Sequence, residues 1–164
     1  MPALDIDGLI FTFPERWQAS KYDEWSFYRN QFSKMRDGIK AVDALAIDEH
    51  NIGFMIEVKD YRHPDTEKPS ELPAAIADKV LHTLSAMLPA KLHAVNLAEK
   101  NLAANLLRCK ALRVIAHIEL PGRHRGVVDP ADLRQKLRQL LRVVDPHVKV
   151  VSTANMQGLA WTVS

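Results

Sequence analysis

The sequence is poor in several features that would each define a class of protein. Its one cysteine, Cys109, excludes an intramolecular disulfide framework and any zinc or iron–sulfur site built from several cysteines. Its six glycines and nine prolines are too few for a low-complexity linker. The seven histidines show no metal-ligand spacing of the HExxH type.

The sequence also lacks a recognisable targeting or membrane segment. No run approaches the about 20 apolar residues that a membrane-spanning helix needs. Residues 1–7 contain two acids and no basic stretch, so we expect no signal peptide. We therefore expect a protein of the cytoplasm, without a membrane partner.

The composition is that of one globular domain spanning residues 1–164. Apolar residues make up 47% and charged residues 26% of the chain, close to globular averages. The pattern predicts the order β-α-β-β-α-α-β-α-β-β, which is typical of an α/β fold with a sheet covered by helices. Predicted strands cover residues 9–13, 41–47, 52–61, 113–120, 148–151 and 159–163.

Four helices are predicted between these strands. Trp25, Tyr28 and Phe32 lie on one face of a helix within residues 21–32. Apolar residues recur every fourth position from Leu72 to Leu88, and Pro89 is expected to end or kink that helix. A third helix is predicted within residues 92–109, and a fourth opens at Asp129-Pro130, where proline suits the first turn.

One hairpin concentrates charged residues at the end of an apolar strand. Glu57 and Lys59 are two residues apart, so they share one face of the strand. A three-residue loop at 49–51, with Asn51 in the left-handed conformation, would make the numbers of facing residues sum to 100. Asp43 would then face Glu57 at about 5 Å between Cβ atoms. A loop of another length would shift this register.

Asp43, followed after about fourteen residues by Glu57-Val58-Lys59, resembles the PD-(D/E)XK nuclease superfamily. A small bacterial group within it is also similar in the segments 21–25, 41–43 and 56–62. The resemblance implies a restriction-endonuclease-like fold, with a central mixed sheet flanked by helices. Val42 stands where the superfamily motif has proline.

The resemblance also implies roles for these residues. Asp43, Glu57 and the backbone carbonyl of Val58 would bind Mg²⁺ or Mn²⁺, and Lys59 would orient the attacking water. Some members add an acid from the first helix, for which Glu24 is the candidate and Asp23 the alternative. Lys79, from the helix after the motif, matches a further polar position found in some members.

The net charge of +2 conceals a division along the chain. Residues 108–149 contain ten Lys/Arg and four Asp/Glu, a net of +6. Arg134 and Arg138 on the fourth helix, with Arg123 and Arg125 in the loop before it, are candidates for phosphate contacts. A solvated helix face would show the same pattern.

The sequence thus predicts a metal-dependent nuclease that hydrolyses phosphodiester bonds, with DNA as the expected nucleic-acid partner. The alternative is a catalytically inactive module on the same fold that binds nucleic acid or protein. A single domain of this size would need a homodimer or a partner subunit to select targets.

Overall fold

The computed structural model describes residues 1–66, 71–122 and 128–164 of the chain. Within these ranges, the strands are β1 (Ala3–Ile6), β2 (Leu9–Thr12), β3 (Gln18–Ser20), β4 (Ala44–Ile47), β5 (Ile52–Asp60), β6 (Ala111–Glu119), β7 (Lys149–Val151) and β8 (Thr162–Val163). The α-helices are α1 (Ser26–Asn30), α2 (Leu72–His93), α3 (Leu97–Leu107) and α4 (Pro130–Leu140).

A five-stranded mixed sheet forms the centre of the fold. Its order is β3-β4-β5-β6-β7, with β5 in the middle. β5 pairs antiparallel with β4 and parallel with β6, and β6 pairs parallel with β7. The chain is therefore an α/β protein with a mixed sheet and flanking helices, as the sequence predicted.

The predicted register of the β4–β5 hairpin is confirmed. Ala44 pairs with Ile56 and Ile47 with Gly53, so facing numbers sum to 100. Asn51 has a φ of 61°, the left-handed conformation expected at the end of a three-residue loop. Asp48 fixes the turn, because its Oδ1 accepts bonds from the backbone N–H groups of His50 and Ile52, each at 2.8 Å.

A second, three-stranded sheet covers one face of the central sheet. Its order is β1-β2-β8, and β1 and β2 form a hairpin with Asp7 and Gly8 at positive φ in its turn. The sequence reading missed β1. Apolar residues of the two sheets form one core, with Phe11, Phe13, Ile56, Ile115 and Trp161 among its most buried members.

The helices cover the other face and form the second core. Ile76, Val80, Met87, Leu102 and Leu137 pack there against the central sheet. Asp129 caps α4 by accepting a bond from the backbone N–H of Ala131 at 3.0 Å, which confirms the predicted helix start. No helix within the described ranges is long and apolar enough to cross a membrane.

Two helix predictions need correction. The helix expected over residues 21–32 is divided into a 3₁₀ turn at Tyr22–Glu24, the short α1, and a second 3₁₀ turn. Trp25 is extended between them, with ψ of 135°, and its buried indole donates to Ser20 Oγ at 2.7 Å. This contact joins residues only five positions apart, and Trp25 itself lies outside the helical segments.

The second correction concerns α2: of the two expected effects of Pro89, an end or a kink, the end is wrong, because the helix continues to His93. Ala86 and Ala90, on either side of the proline, are fully buried, so packing holds the helix together where one backbone donor is missing. Leu88 belongs to the predicted apolar repeat but is 54% exposed, because the buried stripe moves from Val80 to Met87 and Ala90.

Candidate active site

The candidate site lies where β4 begins and β5 ends. Asp43 immediately precedes β4, and continuation of the hairpin register places it opposite Glu57. Their side chains open into a cleft of about 340 Å³. The cleft is lined by Asp7, Asp43, Glu57, Val58, Lys59, Asp60, His63, Asp65, Thr66 and Lys79. The structure thus brings together Asp43, Glu57, Val58 and Lys59.

The Asp43 carboxylate is fixed against the neighbouring strand. Its Oδ2 accepts a hydrogen bond from the backbone N–H of Val58 at 2.7 Å. Burial raises the pKa of Asp43 to about 6, although the Val58 bond and the Lys79 charge oppose that rise. The nearby acids Asp23 and Asp7 add to the increase. Asp43 is therefore an acid in a poorly solvated position with incomplete charge compensation.

Glu57 is the most buried acid of the cleft, with 1% of its surface exposed. Burial and the charge of Asp43 raise the pKa of Glu57 to about 8, against the effects of Lys79 and Lys59. Its Oε1 lies 2.5 Å from Lys79 Nζ. Its Oε2 is buried and has no hydrogen-bond partner among the described residues. One oxygen of this carboxylate is therefore available to a further ligand.

Lys79 reaches the cleft from α2, two turns into the helix. It is flanked on the helix by the buried residues Ile76 and Val80, which bring its stem close to the sheet. Burial alone would lower the pKa of Lys79, but the charges of Glu57 and Asp43 outweigh burial and leave it raised. Lys79 therefore retains its proton beside the two acids. Its helical position next to the apolar stripe is the sequence signal for this placement.

Lys59 follows Glu57 by two residues and lies on the same face of β5. It is partly exposed and lines the cleft, and its charge lowers the pKa of Glu57. The cleft therefore combines the buried Glu57 and the half-buried Asp43 with two lysines, Lys59 from β5 and Lys79 from α2.

The two acids considered in the first helical segment differ in environment. Glu24 is exposed, and its Oε1 lies 2.9 Å from Lys21 Nζ, which lowers the pKa of Glu24. Asp23 is partly buried, its Oδ1 has no partner among the described residues, and burial raises its pKa. Asp23 also raises the pKa of Asp43, so it is the acid of this segment that acts on the cleft.

Several residues that border the cleft were not predicted from the sequence. Asp7 comes from the turn of the β1–β2 hairpin, and His63 and Thr66 come from the segment after β5. The Asp7-Gly8 pair between two β-prone runs is a strong hairpin signal that would have predicted β1. The local sequence does not determine that the Asp7-Gly8 turn borders the cleft, because that depends on how the two sheets pack.

Of the predicted phosphate-binding arginines, Arg134 and Arg138 do not line this cleft. Arg134 and Arg138, together with Arg142, line a separate open groove of about 740 Å³ along α4. Arg138 Nε donates to the backbone carbonyl of Val148 at 3.0 Å, which fixes its stem against the start of β7. Arg123 and Arg125 lie outside the described residues.

The side chains of the cleft supply few of the ligands that a metal ion needs. Within residues 1–66, 71–122 and 128–164, no group of three or more His, Cys, Asp or Glu side chains is arranged to hold a metal ion. Asp43 and Glu57 provide two carboxylates, so further ligands would have to be backbone carbonyl groups, water or substrate. Hard divalent cations accept such mixed oxygen sets.

Comparison with known proteins gives one distant similarity. A cysteine–tRNA ligase of Neisseria meningitidis serogroup A is 25% identical over 209 aligned positions, which take in the whole chain. The chain spans only 30% of the length of that ligase. No protein-family model matches the chain, and no solved structure matches it.

Proposed function

We propose that the protein is a metal-dependent nuclease that hydrolyses phosphodiester bonds in the Asp43–Glu57 cleft. The observation that carries this proposal is the convergence of Asp43, Glu57 and Lys59 in one cleft, with Asp43 bonded to the N–H of Val58. The confirmed hairpin register explains why residues fourteen positions apart meet. Paired carboxylates beside a lysine suit reactions that develop charge on phosphate oxygens.

The residues present fit a divalent cation such as Mg²⁺ or Mn²⁺. Glu57 Oε2 is buried without a described partner, and the pKa values of Glu57 and Asp43 are raised to about 8 and about 6. A cation held by Asp43, Glu57 and the Val58 carbonyl would relieve the repulsion that contributes to these shifts. Such a cation, when bound, polarises phosphoryl oxygens and lowers the pKa of bound water.

The two lysines have different proposed tasks. Lys59, on β5, would contact phosphate oxygens and stabilise their charge as the bond to the leaving oxygen breaks. Lys79, bonded to Glu57 at 2.5 Å, would hold that carboxylate in position from α2. Lys59 is therefore the proposed catalytic residue, and Lys79 is a positioning residue.

The proposed fold family is the restriction-endonuclease-like fold. Three features support it: the helical segment before the β4–β5 hairpin, the helix α2 after it, and the parallel pairing of β5 with β6. Asp43 immediately precedes β4 and Glu57 lies on β5, so both acids are at the open end of this hairpin. We propose that the protein acts in the cytoplasm, either as a homodimer or together with a partner subunit.

The proposed substrate is nucleic acid, with DNA as the first candidate. Arg134 and Arg138 form a basic groove on α4 that could contact phosphates away from the cleft. Arg123 and Arg125 belong to the same proposal. Since a matched relative is called a cysteine–tRNA ligase, tRNA should be tested beside DNA.

Cleavage assays test the proposal directly. Wild-type protein is incubated with supercoiled DNA, linear DNA, single-stranded DNA and tRNA in the presence of Mn²⁺ or Mg²⁺. We expect cleavage that is lost with EDTA and reduced at least about 100-fold in Lys59→Ala, since one preorganised donor contributes roughly that factor. Lys34→Ala, which removes an exposed lysine away from the cleft, is the matched control and should keep full activity.

A second candidate function is a non-catalytic module that binds nucleic acid or protein. The Lys79–Glu57 pair favours it, because the ammonium already neutralises one oxygen of the deepest acid. Calorimetric titration with Mn²⁺ separates the two functions. Metal binding that is at least about tenfold weaker in Asp43→Asn, together with cleavage, supports the nuclease. Nucleic-acid binding without metal uptake or cleavage supports the module.

A further inference from the structure

A second pocket lies on the opposite face of the central sheet, at the start of its parallel strands. It has a volume of about 320 Å³ and is lined by Trp17, Asp48, Ile52, Phe54, Arg113, Ile115, His147, Lys149, Gly158, Leu159 and Ala160. Ile52 and Glu57 are five residues apart on β5, which corresponds to about 17 Å along the strand. This pocket is therefore separate from the candidate active site.

Aromatic and aliphatic side chains form the floor of the pocket. The rings of Trp17 and Phe54 are stacked, with centroids 5.0 Å apart and planes inclined by 21°. Trp161 supports both rings from behind with edge contacts at 5.8 and 5.3 Å. Trp17 and Phe54 are 7% and 9% exposed, so the protein holds them rigidly before any ligand arrives. Leu159 and Ile52 complete the apolar lining.

Basic groups surround this floor. Arg113 pairs with Phe54 across β5 and β6 and therefore projects on the same face of the sheet. Lys149 follows on β7, where it pairs with Ile115, and His147 precedes that strand. Lys149 Nζ donates to the Gln157 carbonyl at 3.1 Å, a neutral partner, and no acid of the described residues pairs with this lysine.

The acids near the pocket are occupied by other contacts. Asp48 Oδ1 accepts the backbone N–H groups of His50 and Ile52 in the hairpin turn. Asp145 is fully buried, accepts the backbone N–H groups of Val114 and His147, and lies 3.5 Å from Arg113 Nη1. Arg113 therefore shares its charge with Asp145, whereas Lys149 is the cation of the pocket lining that is left to meet an anion.

We propose that this pocket binds an aromatic ring that carries an anionic group, in the form presented by a 5′-nucleotide. The ring would lie against the exposed parts of Trp17, Phe54 and Leu159, and the phosphate would contact Lys149. The volume falls at the lower end of the range usual for small-ligand sites, which suits one nucleotide. The nucleotide is either free in solution or the unpaired 5′ end of a strand.

The test is titration of the full chain with AMP in the presence of EDTA, followed by calorimetry and tryptophan fluorescence. EDTA removes any metal from the Asp43–Glu57 cleft, so the result does not depend on the proposed nuclease. We expect AMP to quench fluorescence and to bind at least tenfold more weakly to Lys149→Met. Lys136→Met, which neutralises an exposed lysine on α4, should bind AMP within twofold of wild type. Equal affinity of Lys149→Met and wild type would overturn the proposal.

Two further sets of titrations identify what the pocket recognises. Inorganic phosphate and adenosine should each bind at least tenfold more weakly than AMP, and phosphate binding as tight as AMP would exclude a role for the aromatic floor. A 5′-phosphorylated single strand that binds more tightly than AMP assigns the pocket to strand ends, whereas the reverse assigns it to free nucleotides. Ala160→Glu, at an exposed position of the rim, should weaken AMP binding independently of Lys149. No binding of AMP or the strand would contradict the proposal.

Discussion

The charged forms of Asp43 and Glu57 are unfavourable in the folded protein, and this determines how stability should depend on pH. The pKa of Asp43 rises from 3.8 to about 6 and that of Glu57 from 4.5 to about 8, mainly through burial. Both acids favour folding most when protonated, below their unfolded pKa values. That contribution is lost as the pH rises through about 6 and then about 8. The metal-free protein should therefore be less stable in mild alkali than in mild acid.

Replacement of Asp43 by asparagine should stabilise the metal-free protein at alkaline pH. The amide oxygen can still accept the Val58 N–H, while the buried charge and its repulsion of Glu57 disappear. We expect a gain of about 1–3 kcal/mol in the free energy of unfolding near pH 9, since a pKa shift of one unit corresponds to about 1.4 kcal/mol. Near pH 5 the gain should be much smaller. Urea denaturation with EDTA at both pH values measures this difference.

The matched control is Asp37→Asn, which removes an exposed acid outside the cleft. Its stability should follow that of the wild type at both pH values. An Asp43→Asn protein that is destabilised near pH 9 would show that the carboxylate is compensated by its surroundings, contrary to the pKa shifts described above.

At the scale of secondary structure elements, β5 carries the site, and its central position restricts its residues. Gly53 lies on β5 where the strand passes beneath α3. A Cβ atom built at this position would lie 2.6 Å from Leu106 Cδ1 and 2.8 Å from Leu112 Cδ2. The absence of a side chain therefore allows α3 and β6 to approach the strand that positions Glu57 and Lys59.

Gly53→Ala should destabilise the protein by about 1–3 kcal/mol, because both leucines must move within a packed core. Urea denaturation measures the change, and nuclease assays on the same variant report whether the strand shift reaches the cleft. Gly122→Ala is the control, since a Cβ there would meet no atom of the described residues within 4 Å. Equal loss in the two variants would show that close packing at Gly53 is not the cause.

At the scale of the whole molecule, one buried acid joins segments far apart in the chain. Glu99, on α3, is 8% exposed and accepts the backbone N–H groups of Ser26 and Phe27 at 3.1 and 2.9 Å. It also accepts the Ser26 hydroxyl. Glu99 thus caps α1, which no local side chain caps, and it fixes the segment that contains Asp23.

Glu99→Ala should cost about 2–3 kcal/mol in the free energy of unfolding, since buried donors lose a charged acceptor. Glu99→Gln should recover part of this loss, because its amide oxygen can still accept one or two of these bonds. Chemical denaturation compares the two variants with Glu15→Ala, which removes an exposed acid. A loss in Glu99→Ala no larger than that in Glu15→Ala would contradict the capping role.

Local patterns determined much of the fold and part of the candidate site. Turn chemistry at Asn51 and strand alternation fixed the β4–β5 register, so the meeting of Asp43 with Glu57 could be predicted. The helix cap at Asp129 could likewise be predicted from the sequence, because its hydrogen bond joins residues two positions apart. Each of these features depends on interactions between residues close in sequence.

Only the tertiary structure decided which distant residues share a surface. Asp7 reaches the cleft because a second sheet packs on the first. Leu88 is exposed although it continues an apolar repeat, because the neighbouring elements do not cover it. Sequence periodicity records local geometry, whereas burial and charge compensation depend on elements that meet only in the folded chain.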